Sequence, residues 1–206
     1  MKLPVITVLV FIYMLSILSA GYKAKSIQLK PARKYPSGQD FQNIVIGAHI
    51  YETKEKTLEL FDTKKLHDKQ VLPVLIVVEN NNNFAIQIQE ENIFMVGVDG
   101  INIPTVPYFK ILAHITSKNP LSSFSTKPEE ILVRHKVNRK MMDDFEKKSF
   151  GEKILGPHSS DYGILFFWLP GEDYLRKARL YFPEVVNLSE NENLIFFEFQ
   201  VMEIEK

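Results

Sequence analysis

The run Val71-Leu72-Pro73-Val74-Leu75-Ile76-Val77-Val78-Glu79 is apolar on both faces of an extended chain. Successive side chains of a strand point to opposite sides, so a run like this reads as a central strand. The neighbouring segments carry the same theme on one face. NIVIGAHIY (43–51) sets Ile44, Ile46, Ala48 and Ile50 on one side, and NFAIQIQ (83–89) turns Phe84, Ile86 and Ile88 inward with Gln87 and Gln89 outward. The quartet Asn80–Asn83 between two such runs is turn chemistry, because asparagine tolerates left-handed backbone and bonds its own main chain. The alternative is four amides gathered to contact a sugar or a peptide.

Brief helical stretches interrupt the strands. TKEKTLELF (53–61) has Leu58 and Phe61 three apart behind Thr53 as a cap, and TVPYFKILAHI (105–115) places Tyr108, Ile111, Leu112 and Ile115 on one stripe behind Pro107. NRKMMDDFEKKSF (138–150) repeats that spacing through Met141, Met142 and Phe145. ENIFMVGVDGINIP (91–104) is a strand with a tight turn at Asp99-Gly100, and residues 117–128 read as an exposed loop. The last third is strand-rich: YGILFFWLPG (162–171), ARLYFPEVV (178–186) and NLIFFEFQVMEI (193–204), the last with Ile195, Phe197, Phe199 and Val201 facing one way. In GILFFWLP, Leu165, Phe167 and Leu169 oppose Ile164, Phe166 and Trp168, so one set needs cover from outside the inter-sheet core; the short helices can supply it. Trp168 is expected in the core, against the alternative of an aromatic binding platform formed with Phe166, Phe167, Phe196, Phe197 and Phe199. The pattern predicts a mainly β fold: an antiparallel two-sheet sandwich with a few short helices in the connections.

PVLIVVEN followed by an alternating strand and a VDG turn, with the later ILGPHSSDYGILFFWLP, resembles exported bacterial immunoglobulin-like sandwich domains of unknown function. The resemblance spans roughly residues 44–203 and implies fold alone, since that set carries no catalytic residues to transfer. Many of its members are lipoproteins; this chain, with no cysteine, departs from them.

The N-terminus speaks to location. Lys2, an apolar stretch from Leu3 to Leu18 and small residues at Ser19-Ala20-Gly21 have the anatomy of a secretory signal peptide cleaved after Ala20 or Gly21. Lys23, Lys25, Lys30, Arg33 and Lys34 follow it, and positive flanks prefer the cytoplasm, so the rival reading is an uncleaved anchor over residues 3–22. The expected organisation is 1–21 signal peptide or anchor, 22–40 basic linker and 41–206 immunoglobulin-like domain, exported to the periplasm or beyond.

Charge and motifs narrow the chemistry. Lys plus Arg (25) equals Asp plus Glu (25), so no net field attracts nucleic acid. Zero cysteine excludes disulfides, thiolate zinc sites and cysteine nucleophiles. GxSxG, GxxxxGK and GxGxxG are absent, and the histidines His49, His67, His114, His135 and His158 show no i,i+4 pair. Met141-Met142 near His135 could suit copper, but helical spacing explains the methionines as core contacts. Adjacent acids Glu90-Glu91, Glu129-Glu130 and Asp143-Asp144 diverge on any regular element and are expected on solvated faces. Asn187-Leu188-Ser189 fits a glycosylation acceptor. No catalytic, cofactor or metal residue is assigned, and no cofactor. The functional expectation is a non-enzymatic exported module binding an envelope or extracellular protein, with membrane contact if residues 3–22 stay as an anchor. The alternative is an envelope enzyme or metal-binding protein whose site the fold assembles.

Overall fold

The computed structural model describes residues 21–97, 99–117, 138–175, 178–194 and 197–200. An antiparallel sheet runs in the order β1 (Gln39–Phe41), β2 (Ile44–Ile50), β3 (Val71–Asn80), β8 (Ser159–Trp168). The doubly apolar run thus lies in the interior, paired along its whole length with β8. Pro73 is tolerated there at a register position facing Phe166.

The second group of strands comprises β4 (Ile86–Gln89), β5 (Phe94–Val96), β6 (Asn102–Pro104), β7 (Glu152–Leu155), β9 (Arg179–Phe182), β10 (Val186–Asn187), β11 (Glu192–Asn193) and β12 (Phe197–Gln200). They form two antiparallel sheets, β11-β10-β4-β7 and β12-β9-β5-β6. The molecule is therefore mainly β with three antiparallel sheets and few short helices, where two sheets were expected. The extra division has a local cause. Gln87 faces Val186 and Phe94 faces Tyr181, so residues 88–93 must span what residues 182–185 span opposite. The surplus is taken up by the 3-10 turn Glu90–Asn92, which kinks one long strand into β4 and β5.

Both faces of the first sheet are covered, by different materials. Ile44, Ile46, Leu72, Val74, Ile76, Leu165 and Phe167 pack against Ile86, Ile88, Met95, Leu180, Phe182, Phe197 and Phe199 of the other two sheets. On the reverse, Val45, Leu75, Val77, Ile164 and Phe166 lie under α1 (Lys54–Leu60), α2 (Lys65–Asp68), α3 (Tyr108–Thr116) and α4 (Arg139–Lys148). Thr53 caps α1 by accepting from the Lys56 amide, and Asn138 caps α4. The stripe that α1 buries is Thr57 and Leu60, continued by Phe61, rather than Leu58. Phe61 stacks on Phe145 of α4 with centroids 3.9 Å apart, and Phe145 stacks on Phe166 at 5.7 Å.

Three expectations are corrected here. The first is the linker at 22–40, which is a strap across the helix-bearing face, with Tyr22, Ala32 and Tyr35 buried. Its fit depends on Gly47, where a Cβ would come within 2.3 Å of the Ala32 carbonyl oxygen, and on Glu79, whose carboxylate accepts from the Ala32 amide. The second is the asparagine quartet. It crosses from one sheet to another rather than closing a hairpin, and Asn80 points inward: its Nδ2 donates to the carbonyls of Phe84 (2.8 Å) and Gly156 (3.0 Å). The third is Trp168, which ends β8 and is 41% exposed, its ring edge-on to His114 at 5.7 Å. Phe166, Phe167, Phe197 and Phe199 are core; Phe196, Ile195, Val201 and residues 118–128 of the expected loop lie outside the described residues.

Candidate functional site

Among the described residues, two clefts concentrate polar side chains. The larger, about 560 Å³, opens where the edge of the first sheet meets the edge of β12, and Ser37, Gln39, His49, Glu52, Lys56 and Gln200 line it. β2 carries His49 into it, and burial together with the nearby Lys56 ammonium holds that imidazole below its ordinary pKa, favouring the neutral ring. Tyr51 meets the ring edge-on at 4.8 Å, and burial pushes its phenol up to about 12. Lys56 and Glu52 pair at 2.6 Å across one helical turn, so their charges cancel locally. Ser37 donates its hydroxyl to the Ala48 carbonyl at 3.2 Å, and its bond runs there rather than to His49. The cleft therefore offers neutral donors and acceptors, without the nucleophile–base contact that acyl transfer needs.

The wall formed by β12 is an edge. β12 pairs with β9, and among the described residues no strand pairs with its other side. Phe197 and Phe199 are buried while Gln200 is exposed. The Gln39 side-chain amide donates to the Glu198 carbonyl at 2.6 Å, in the place where a further strand would put a backbone N–H.

The smaller cleft, about 370 Å³, lies at the kink and is lined by Gln89, Glu90, Glu91, Thr105, Gly151 and Glu152. The Gly151 amide donates to Glu90 Oε2 at 2.6 Å, while the buried Oε1 has no hydrogen-bond partner. Desolvation lifts the Glu90 carboxyl to about 7, against the Gly151 bond, which favours the charged form.

Glu90 and Asp144 thus correct the expectation that the paired acids sit on solvated faces. Asp144 is buried, accepts from the Tyr22 hydroxyl at 2.6 Å and pairs with Lys148 at 2.8 Å. Burial lowers the Lys148 ammonium pKa, and burial beside Asp144 raises that of the Tyr22 phenol well above its usual range. Sequence spacing could not reveal either group, because Tyr22 and Asp144 meet across 122 positions and Glu90 and Gly151 across 61.

The remaining candidates stay apart. Among the described residues no three His, Asp or Glu side chains converge to hold a metal ion. His158 bonds Asn83 at 2.8 Å, His114 meets Trp168, and His135 and Glu129-Glu130 lie outside the described residues. Met141 and Met142 pack on the helix-side core, as their spacing suggested. Asn187 of the glycosylation triplet is buried and accepts from the Ser189 amide, which closes its side chain to a glycan in the folded state.

No family model matches this chain, and no curated protein does. Among solved structures it is similar to the yjhA protein from Bacillus subtilis at 9% identity, with a TM-score of 0.45, over 81% of this chain and 96% of that one. It is also similar to a functionally unknown protein from Listeria monocytogenes EGD-e at 12% identity, with a TM-score of 0.38, over 91% of each chain.

Proposed function

We propose that the protein is an exported, non-enzymatic, immunoglobulin-like module that binds a protein partner of the cell envelope along the seam between β1 and β12. The export reading comes from the sequence of residues 1–21, and the sandwich reading from the strand pattern. The observation that supports the binding reading is the bond from Gln39 to the Glu198 carbonyl. A side chain stands in for a missing neighbour strand, and an extended segment of a partner could displace it, gain main-chain bonds to β12 and send alternate side chains toward His49 and Gln200.

The test is a photoreactive residue at Gln200 in the full-length protein, irradiated in cells. One discrete protein adduct in the envelope fraction is expected, and it should vanish in Glu198→Pro, which removes the outward N–H of β12 while proline remains tolerable at an edge. No adduct, or an adduct indifferent to Glu198→Pro, overturns the reading. Glu90 is the observation that favours the enzyme alternative, since a carboxyl titrating near neutrality suits general acid–base work.

A further inference from the structure

The charges of this neutral chain are unevenly placed. The stretches that build the strap, β1, β2 and the helical layer (21–70, 106–117 and 138–149) carry 15 Lys and Arg against 9 Asp and Glu. The remaining stretches of the sheets (71–105 and 150–200) carry 4 against 12. Several acids of the first set are also engaged: Asp144 with Lys148, Glu52 with Lys56, and Asp62 with the Lys23 amide at 3.0 Å.

Six exposed lysines of this set lie where the chain enters the fold, against Asp62, Asp143 and Glu146 there. Tyr22 is fastened to Asp144 of α4, and Lys140 and Lys147 lie one turn to either side of Asp144 on that helix. Lys23 and Lys25 follow Tyr22 directly and are exposed, and Lys64 and Lys65 open α2 beside the Phe61–Asp62 segment that receives the Lys23 amide. In the anchor reading of the N-terminus, three residues separate Leu18 from this fastening point, a tether that holds the entry of the chain beside the bilayer. Trp168 shares its strand parity with Ile164 and Phe166, so it belongs to the same helix-bearing face, and it is 41% exposed there. Indole rings favour the water–lipid interface, and lysines near an anionic surface are attracted within a Debye length, about 10 Å at 0.1 M salt.

We propose that the helix-bearing face seats on an anionic lipid bilayer, with Lys23, Lys25, Lys64, Lys65, Lys140 and Lys147 over the headgroups and Trp168 at the interface. The sheet with the β12 seam then faces away from the lipid. The seam cleft shares the strap and α1 with this face, but none of the six lysines lines it, so the lipid surface does not depend on a protein partner being bound there.

The chain holds one tryptophan, so its fluorescence reports Trp168 alone. The full-length protein is reconstituted into vesicles of phosphatidylglycerol with phosphatidylcholine, or of phosphatidylcholine alone, each containing headgroup-level spin-labelled lipid. Several-fold stronger quenching and a blue-shifted emission are expected in the anionic vesicles, both lost in 1 M salt and in a variant carrying Lys64→Glu, Lys65→Glu, Lys140→Glu and Lys147→Glu. If that variant does not fold, Lys64→Glu with Lys65→Glu and the salt titration decide. Equal quenching in both lipids, or quenching indifferent to salt and to charge reversal, overturns the proposal, because the N-terminal run alone would then account for proximity. Loss of the Gln200 adduct with lipid quenching intact would sink the seam and leave this surface standing.

Discussion

The two faces of the β1-β2-β3-β8 sheet are built on different rules. Toward the other strands the core is aliphatic side chains and phenylalanine, with Tyr174 at its border. Toward the helices the core includes Tyr22, Tyr35 and Tyr51, and beside them Thr57, Asp144 and Lys148 are buried. The polar groups are bonded: Lys148 Nζ reaches the Leu60 carbonyl at 2.7 Å, and the Thr57 hydroxyl reaches the Thr53 carbonyl at 2.7 Å. Within a sheet, strands inherit their alignment from backbone ladders, and between the sheets apolar contact does most of the sealing, with the buried Asn80 amide tying β3 to the Leu155 and Gly156 carbonyls. A helix or a strap has no ladder to a sheet, and directional side-chain bonds set where it lies.

The adjacent residues Phe166 and Phe167 sit fully buried on opposite faces of β8, which makes them the sharpest probe of that contrast. Each truncation to alanine should cost about 3–5 kcal/mol. Both variants should unfold in a single, earlier urea transition if the helical layer and the strand core form one cooperative unit. A separate early loss of helical circular dichroism in Phe166→Ala alone would show that the cover detaches by itself.

Asp144→Ala is next, at roughly 3 kcal/mol, because it leaves a buried ammonium unpaired and orphans the Tyr22 hydroxyl. Replacing the pair together, as Asp144→Leu with Lys148→Met, should recover most of that loss in the same urea titration. Equal damage from the single and double variants would mean that the pair matters through packing rather than charge.

The strand side has its own ionisable group in the half-buried Glu90, and its signature is pH. Its folded pKa is about 7 against an ordinary 4.5, so the folded protein keeps a proton that the unfolded chain releases between those values. The stabilising contribution is complete below the lower value and disappears as pH rises through the upper one. Relative to Glu90→Gln, the native protein should lose on the order of 2 kcal/mol between pH 4.5 and pH 8. Parallel stability–pH curves for the two proteins would place the proton elsewhere. The smallest effect belongs to Trp168→Ala, at about 1 kcal/mol or less in lipid-free buffer, with native emission that is red-shifted and readily quenched. A large loss of melting temperature would return that ring to the core.

Much of the frame was legible from short-range pattern. The doubly apolar runs of β3 and β8, the stripe of α3, the Thr53 cap and the Asp99-Gly100 turn, where Gly100 has φ of +75°, all depend on residues within a few positions of one another. The seam and the kink were not. Gln39 finds Glu198 because β1 and β12 end at neighbouring edges of different sheets, and Glu90 is half-buried because two paired strands differ in length between their registers. Basic, proline-containing sequence concealed the strap, since its anchors Tyr22 and Tyr35 recur with no period.

Local chemistry by itself determined which segments extend, coil or turn, and that two of the strands must be covered on both sides. Backbone periodicity and side-chain sterics act over a few residues, and a reader of the chain has those residues in view. Only the tertiary structure decided that Asp144 is buried while Trp168 is half in water, that Asn80, besides accepting from the Asn82 amide in its local turn, reaches the Leu155 and Gly156 carbonyls, and that the cations share a face with the entry of the chain. Each of those outcomes depends on a partner brought from a remote part of the sequence, and the free energy of burying or pairing a polar group is set by that partner rather than by the residue's own neighbours.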